Sequence, residues 1–272
     1  IHYRMHPANF PVLAAARLDA CALANNHVLD WGVTGLFDTL EALARARIAA
    51  AGAGADLEAA AAPAVLARPE GGRRVVLFAC GLPDSGVPRR WAAGPERPGV
   101  FLLPELSERT VRALAARIEA VRRPGDVVVL SIHWGPNWGY GIPAEHRWFA
   151  HAVVEEAGVD LVHGHSSHHP KGIEVYRGRP ILYGCGDLLN DYEGIAGYEE
   201  YRGDLVLAYL AALDGTGRLA RFELAPFRVR RFRLERPPAE DRDWLRAVLD
   251  RECGRFGHRV VAAGETFRLE WS

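Results

Sequence analysis

The 272-residue chain has no apolar run near the roughly 20 residues needed to span a bilayer. It also has no surplus of either charge: 33 basic residues against 34 acidic ones leave a formal net charge of −1. That balance argues against a general nucleic-acid or anionic-membrane binder, which needs a strong positive field, but leaves room for local charged patches. Its four cysteines, Cys21, Cys80, Cys185 and Cys253, form no Cys-x-x-Cys pair. A zinc ribbon and a thioredoxin-like motif are therefore excluded, and each cysteine reads as a buried thiol. No G-x-x-x-x-G-K-S/T run is present, so there is no P-loop. No G-x-S-x-G elbow is present either. The opening Ile1-His2-Tyr3-Arg4 is not a signal peptide and has no initiating Met, so upstream sequence is expected. A cytoplasmic location follows as the expectation.

What is present is ordinary globular material, 49% hydrophobic and 25% charged. Strand and helix patterns alternate. An apolar run over Leu18–Ala24 ends at a polar triplet, and Leu36, Leu40 and Leu43 then recur at helical spacing. Val75–Ala79 and Asp126–Ile132 read as buried strands. Between them, Ser107 can cap a helix whose apolar face is Val111, Leu114, Ala115 and Ile118. Arg122 and Arg123 suit the negative end of that helix, and Pro124-Gly125 stops it. Another helix carries Phe149, Val153 and Ala157. Leu161-Val162 then leads straight into histidines. Residues 49–67, rich in Ala and Gly, read as a loose connection with weak helix. Residues 83–99 read as a surface loop.

The later part reads as hairpins: one around Arg177-Gly178, another around Asp214-Gly215-Thr216-Gly217. Phe227, Val229, Phe232 and Leu234 face Arg228, Arg230 and Arg233 along a half-solvated strand. Residues 238–272 form a carboxy-terminal helix and strand. The whole is expected to be one α/β domain over 1–272, a mixed sheet system with helices outside. Functional residues gather beyond the carboxyl ends of strands in such architectures.

Four segments carry chemistry. In Asn25-Asn26-His27-Val28-Leu29-Asp30, an Asn oxygen can ligate a metal, His27 can move a proton, and Asp30 can orient that His. A polar helix-entry turn is the structural alternative. His133, followed by Trp134-Gly135, closes an apolar strand and places one imidazole at its end. His163-Gly164-His165-Ser166-Ser167-His168-His169 holds four histidines in seven residues, the commonest metal ligand on a glycine-containing loop. Tyr183–Gly194 combines close-approach glycines with Asp187, Asn190, Asp191 and Glu193, at a spacing that is not an EF-hand.

The segments ANNHVLDWGVTGLFDTLEAL, VVVLSIHWG and GVDLVHGHSSHHPKGIEVYRGRPILYGCGDLLNDYEGI resemble, in order and spacing, the CapA family of poly-γ-glutamate and capsule synthesis. That family belongs to the calcineurin-like metallophosphoesterase superfamily. The resemblance implies a four-layer α/β/β/α sandwich. Its amino-terminal strand, with an Asp motif, and its Asn-Leu-Glu motif are missing here, so the chain is expected to start after them. It further implies Asn26, His133, His165 and His168 as ligands of a divalent ion (Mn, Ca, Mg, Fe or Zn). His27, Asp30 and Asp187 would do the acid–base work. Asn25, Trp134, His169, Asp191 and Glu193 would meet a peptide or polyglutamate-like substrate.

Three activities are compatible with the resemblance. One is proton removal and return at a peptide α-carbon, an epimerisation. Another is phosphoester hydrolysis with His27 as general acid. The third is a non-catalytic capsule-assembly role.

Overall fold

The structure, a computed structural model, describes residues 1–67, 73–190 and 195–271. It is mixed α/β, and these residues divide into two compact units, Ile1–Gly135 with Ala152–Val159, and Pro136–His151 with Asp160–Ser272.

In the first unit, β1 (Ala20–Ala22) leads into the polar turn and then α1 (Gly32–Arg45), which buries Leu36 and Leu43. The chain returns through β2 (Ala49–Ala51), parallel to β1 in the register Ala20↔Ala49. Next come β3 (Ala64–Leu66) and β4 (Val75–Gly81), an antiparallel pair. The helix α2 (Glu108–Val121) follows, and Ser107 caps it by accepting the Thr110 N–H at 3.3 Å. β5 (Val127–His133) then runs parallel to β4, from Val75↔Val127 to Gly81↔His133. The core joins Leu36 and Leu43 of α1 to Ala51, Ala53, Ala64 and Ala79.

Residues 49–67 correct the loose connection read from the sequence. They contain β2, a helix at Leu57–Ala61 and β3. Small residues are there because the backbone packs tightly. Gly52 has φ +97°, and a Cβ on it would stand 2.8 Å from the side chains of Ala24 and Ala79. Arg122 stands at the carboxyl cap of α2, the end it was expected to suit, and its Nη1–H donates to the Gly158 carbonyl at 2.9 Å. Asp126 precedes the strand rather than opening it, accepting from Arg74 and from the Arg123 N–H.

The second unit contains α3 (Ala144–Glu155) up to His151, then β6 (Leu161–His165). A hairpin, β7 (Ile173–Tyr176) and β8 (Arg179–Leu182), turns at Arg177-Gly178, both with positive φ, and β8 lies parallel to β6. The long strands β9 (Leu205–Leu213) and β10 (Leu219–Arg230) pair antiparallel around the expected turn. Asp214 stabilises that turn by accepting from Thr216 and Arg218. β11 (Arg233–Glu235), α4 (Ala239–Gly254), β12 (Arg259–Ala263) and β13 (Thr266–Glu270) complete it, with β13 between β10 and β12. The core joins Leu245, Leu249 and Cys253 of α4 to Phe222, Leu224 and Phe267 of the sheet.

The strand expected through Phe232 is interrupted. The chain reverses at Arg231-Phe232, so Phe232 leaves the apolar row of Phe227 and Val229 and stands 64% exposed. All four cysteines are free thiols, three of them buried. Among the described residues no helix is long and apolar enough to cross a membrane.

Candidate functional site

In the first unit, β1 ends at Ala22, and the backbone turns immediately. Asn25 makes that turn. Its Oδ1 accepts the N–H groups of His27 at 2.9 Å and Val28 at 2.8 Å. The side-chain oxygen of Asn25, a residue expected to meet substrate, is thus engaged by backbone. The turn aims His27 at Asp30, Nδ1 to Oδ2 at 2.7 Å. Asp30 also accepts the Tyr3 N–H at 2.8 Å, and the Tyr3 ring stands edge-on to the imidazole, 4.5 Å between centroids. A neutral imidazole that donates Nδ1–H to such a carboxylate keeps its lone pair on Nε2. Asn26 is half-buried beside Gly86, whose φ is +82° and whose Cβ position would lie 3.4 Å from the Asn26 amide nitrogen.

His133, at the end of β5, is buried, and its carbonyl accepts from the Leu82 N–H and the Ser85 hydroxyl, each at 2.9 Å. These bonds fix the backbone on which its ring is mounted. Trp134, expected to meet substrate, is 2% exposed.

In the second unit, β6 delivers His163 and His165, with rings 5.4 Å apart. Burial pushes His163 down to about 4. Ser166 follows with φ 129°, a conformation side-chain-bearing residues rarely hold, and its neighbour Ser167 closes the turn by donating to the His169 carbonyl at 2.9 Å. His168 then pairs with Asp187, Nδ1 to Oδ2 at 2.9 Å, and Asn190 donates to the same carboxylate oxygen at 3.3 Å. His169 is fully buried, with Nδ1 3.1 Å from the Pro170 carbonyl. Burial again lowers it to about 4, so it is neutral at physiological pH. Asp191 and Glu193 lie outside the described residues.

Residues that sequence reasoning missed pack around His168 and His169. Trp138 lies against His168 at 5.4 Å and stacks on Tyr198 at 4.4 Å; Tyr140 and Tyr201 contact His169 at 4.7 and 4.6 Å. The Asn137 carbonyl accepts the His168 N–H at 3.0 Å. The available signal was the glycine- and aromatic-rich stretch Gly135–Gly141, which resembles neither a strand nor a helix.

Each unit therefore contains a histidine whose Nδ1 faces a carboxylate. Such an imidazole can take up a proton at Nε2 while the carboxylate steadies the resulting cation. Among the described residues no three His, Cys, Asp or Glu side chains come together as a metal-holding group.

Comparison with known proteins settles the family. Residues 1–192 match the family described as bacterial capsule synthesis protein PGA_cap. The chain belongs to the PGA_cap family. A probable polyglutamine synthesis accessory protein of Mycobacterium tuberculosis is 50% identical over 261 residues, which covers 95% of this chain and 68% of that protein. The PGA biosynthesis protein CapA of Bacillus subtilis is 31% identical over 227 residues, 83% of this chain and 55% of that one. The capsule biosynthesis protein CapA of Bacillus anthracis is 25% identical over 191 residues, 70% and 44% respectively. The PGA_cap match takes in both carboxylate-paired histidines and stops before β9. The similarity to the Mycobacterium protein extends over nearly the whole chain.

Proposed function

We propose that this PGA_cap protein acts in polyglutamate or capsule metabolism, moving a proton on a peptide-like substrate. The observation that supports this is the orientation of His168 by Asp187 at 2.9 Å, repeated independently by His27 and Asp30 at 2.7 Å. A carboxylate on Nδ1 fixes the tautomer, leaves Nε2 as the base and stabilises the imidazolium. Applied to a peptide α-carbon, the step breaks a C–H bond. The proton goes to Nε2 and the electron pair stays on the substrate as an enolate. Return of a proton to the opposite face completes an epimerisation. The names of the relatives, polyglutamine synthesis and PGA biosynthesis, point to glutamyl polymers as the substrate class.

The divalent ion (Mn, Ca, Mg, Fe or Zn) implied by the resemblance would be held by Asn26, His133 and His165; His168, implied as a further ligand, has a single lone pair at Nε2 and here uses it as the base. Among the described residues no three His, Cys, Asp or Glu side chains come together as a group for it. Elemental analysis of the purified chain tests it directly. The calcineurin-like sandwich likewise belongs here, supported by the family match and by mixed α/β architecture with histidines at strand ends.

A second reading, a non-catalytic accessory role, is favoured by the word accessory in the name of the Mycobacterium relative. Incubation of the chain with glutamyl oligomers in deuterated water separates the two. Deuterium at the α-carbon supports proton transfer. Its absence, with polymer still bound, supports the accessory role. Turnover of bis-nitrophenyl phosphate without α-exchange would instead indicate a phosphoesterase.

A further inference from the structure

The hairpin joining β10 to β11 breaks three local rules at one point. Its central residues, Arg231 and Phe232, both have positive φ, 49° and 61°. That mirror-image turn is filled without strain by Asn and Gly, and bulky residues are rare in it. Arg230 and Arg233 stand directly opposite one another in the ladder, a like-charge pair that weakens the pairing. Phe232, at the tip, is largely exposed.

The surrounding charge is equally one-sided. Residues 226–237 hold five arginines and one glutamate, in a chain whose net charge is −1. Arg228 is committed to Asp204 and Asp241, and Arg236 lies over the Phe227 ring at 5.6 Å. Among the described residues, Arg230, Arg231 and Arg233 have no carboxylate within ion-pair distance, and all three are exposed. Folding alone does not reward strain, like-charge pairing and an exposed aromatic ring in the same four residues. Local rules broken together mark a surface shaped for something outside the chain.

We propose that this tip docks on an anionic phospholipid surface. Phe232 enters the headgroup region, and Arg230, Arg231 and Arg233 contact lipid phosphates. The phenylalanine decides the occupant. A dissolved polyanion offers no apolar layer for an exposed ring, whereas the bilayer interface offers one beneath a layer of phosphates. Guanidinium groups suit phosphate because they can donate two parallel hydrogen bonds. One ring and three charges give reversible association, well short of a stable anchor.

Co-sedimentation of the full chain with phosphatidylcholine vesicles, with and without phosphatidylglycerol, tests this. Binding is expected only with phosphatidylglycerol and should weaken as salt rises. The combined R230Q, R231Q and R233Q variant should lower partitioning on the order of a hundredfold. Phe232→Ser should lower it about tenfold or more. Arg231→Asn with Phe232→Gly should lower binding about fiftyfold yet raise the melting temperature, because the turn then has residues that favour it. Four results would each overturn the proposal: no binding to either vesicle, unchanged binding by Phe232→Ser, capture by dissolved poly-γ-glutamate but not by vesicles, or a lower melting temperature in the Asn-Gly variant. The last would show that Arg231 and Phe232 serve the hairpin itself.

Discussion

Asp187 faces the Nδ1 of His168 at 2.9 Å, across nineteen positions of sequence, while Asn190 donates to the same carboxylate oxygen. The carboxylate thus sets both the tautomer and the direction of the ring. Asp187→Asn keeps the shape and removes the charge. If His168 is the working base, exchange at a substrate α-carbon should fall about 10²–10⁴-fold. The pair is partly exposed, so the melting temperature should barely move, in keeping with the ~0–1 kcal/mol typical of such pairs. Activity and thermal unfolding on the same sample check both halves. A collapse of stability without a specific loss of exchange would count against a chemical role.

His258 gives a pH dependence unconnected with the histidine cluster. Its Nε2 accepts the Val175 N–H at 2.9 Å, and burial holds its pKa below the usual value, outweighing the pull of Glu174. The unfolded chain therefore takes up this proton first. The contribution of neutral His258 is complete above the unfolded pKa of about 6.5 and is lost as pH falls below it. The slope in urea midpoint between neutral and mildly acidic pH should shrink in His258→Gln, which keeps an acceptor but does not titrate. His258→Leu, which leaves the Val175 N–H buried and unmet, should cost about 1–3 kcal/mol at neutral pH.

Gly52 ties the first unit's core to the turn that carries Asn25 and His27. A methyl group there would collide with Ala24 and Ala79, and its φ of +97° is foreign to alanine. Gly52→Ala should destabilise the chain by about 2–4 kcal/mol, overpacking and backbone strain acting together. Urea unfolding measures the loss. A change within a few tenths of a kcal/mol would mean that β1 and β2 can part without penalty.

The sequence made local relationships legible and left tertiary ones hidden. His27 and Asp30, three residues apart, could be paired on paper, and the clustering of His163, His165, His168 and His169 was visible by counting. The helix capped by Ser107 and the turn at Asp214 follow from local chemistry and appear where that chemistry puts them. Trp138 could not be tied to His168, nor Tyr201 to His169, because ring contacts between distant segments have no periodic signature. The alanine-rich 49–67 segment was misread because β-propensity scales penalise alanine, whereas the tight packing around Gly52 demands it. Phe232 was misplaced because apolar alternation continues through a turn whose residues do not announce one.

Exchange at the α-carbon tests most directly whether a carboxylate-oriented histidine moves a proton on a glutamyl polymer. γ-Linked glutamate oligomers would be incubated in deuterated water with the wild-type chain, His27→Gln and His168→Gln, and analysed by mass spectrometry. Time-dependent deuterium uptake is expected with the wild type, reduced at least about a hundredfold in one or both variants. Equal uptake by all three, or none by the wild type while the polymer is bound, would contradict it.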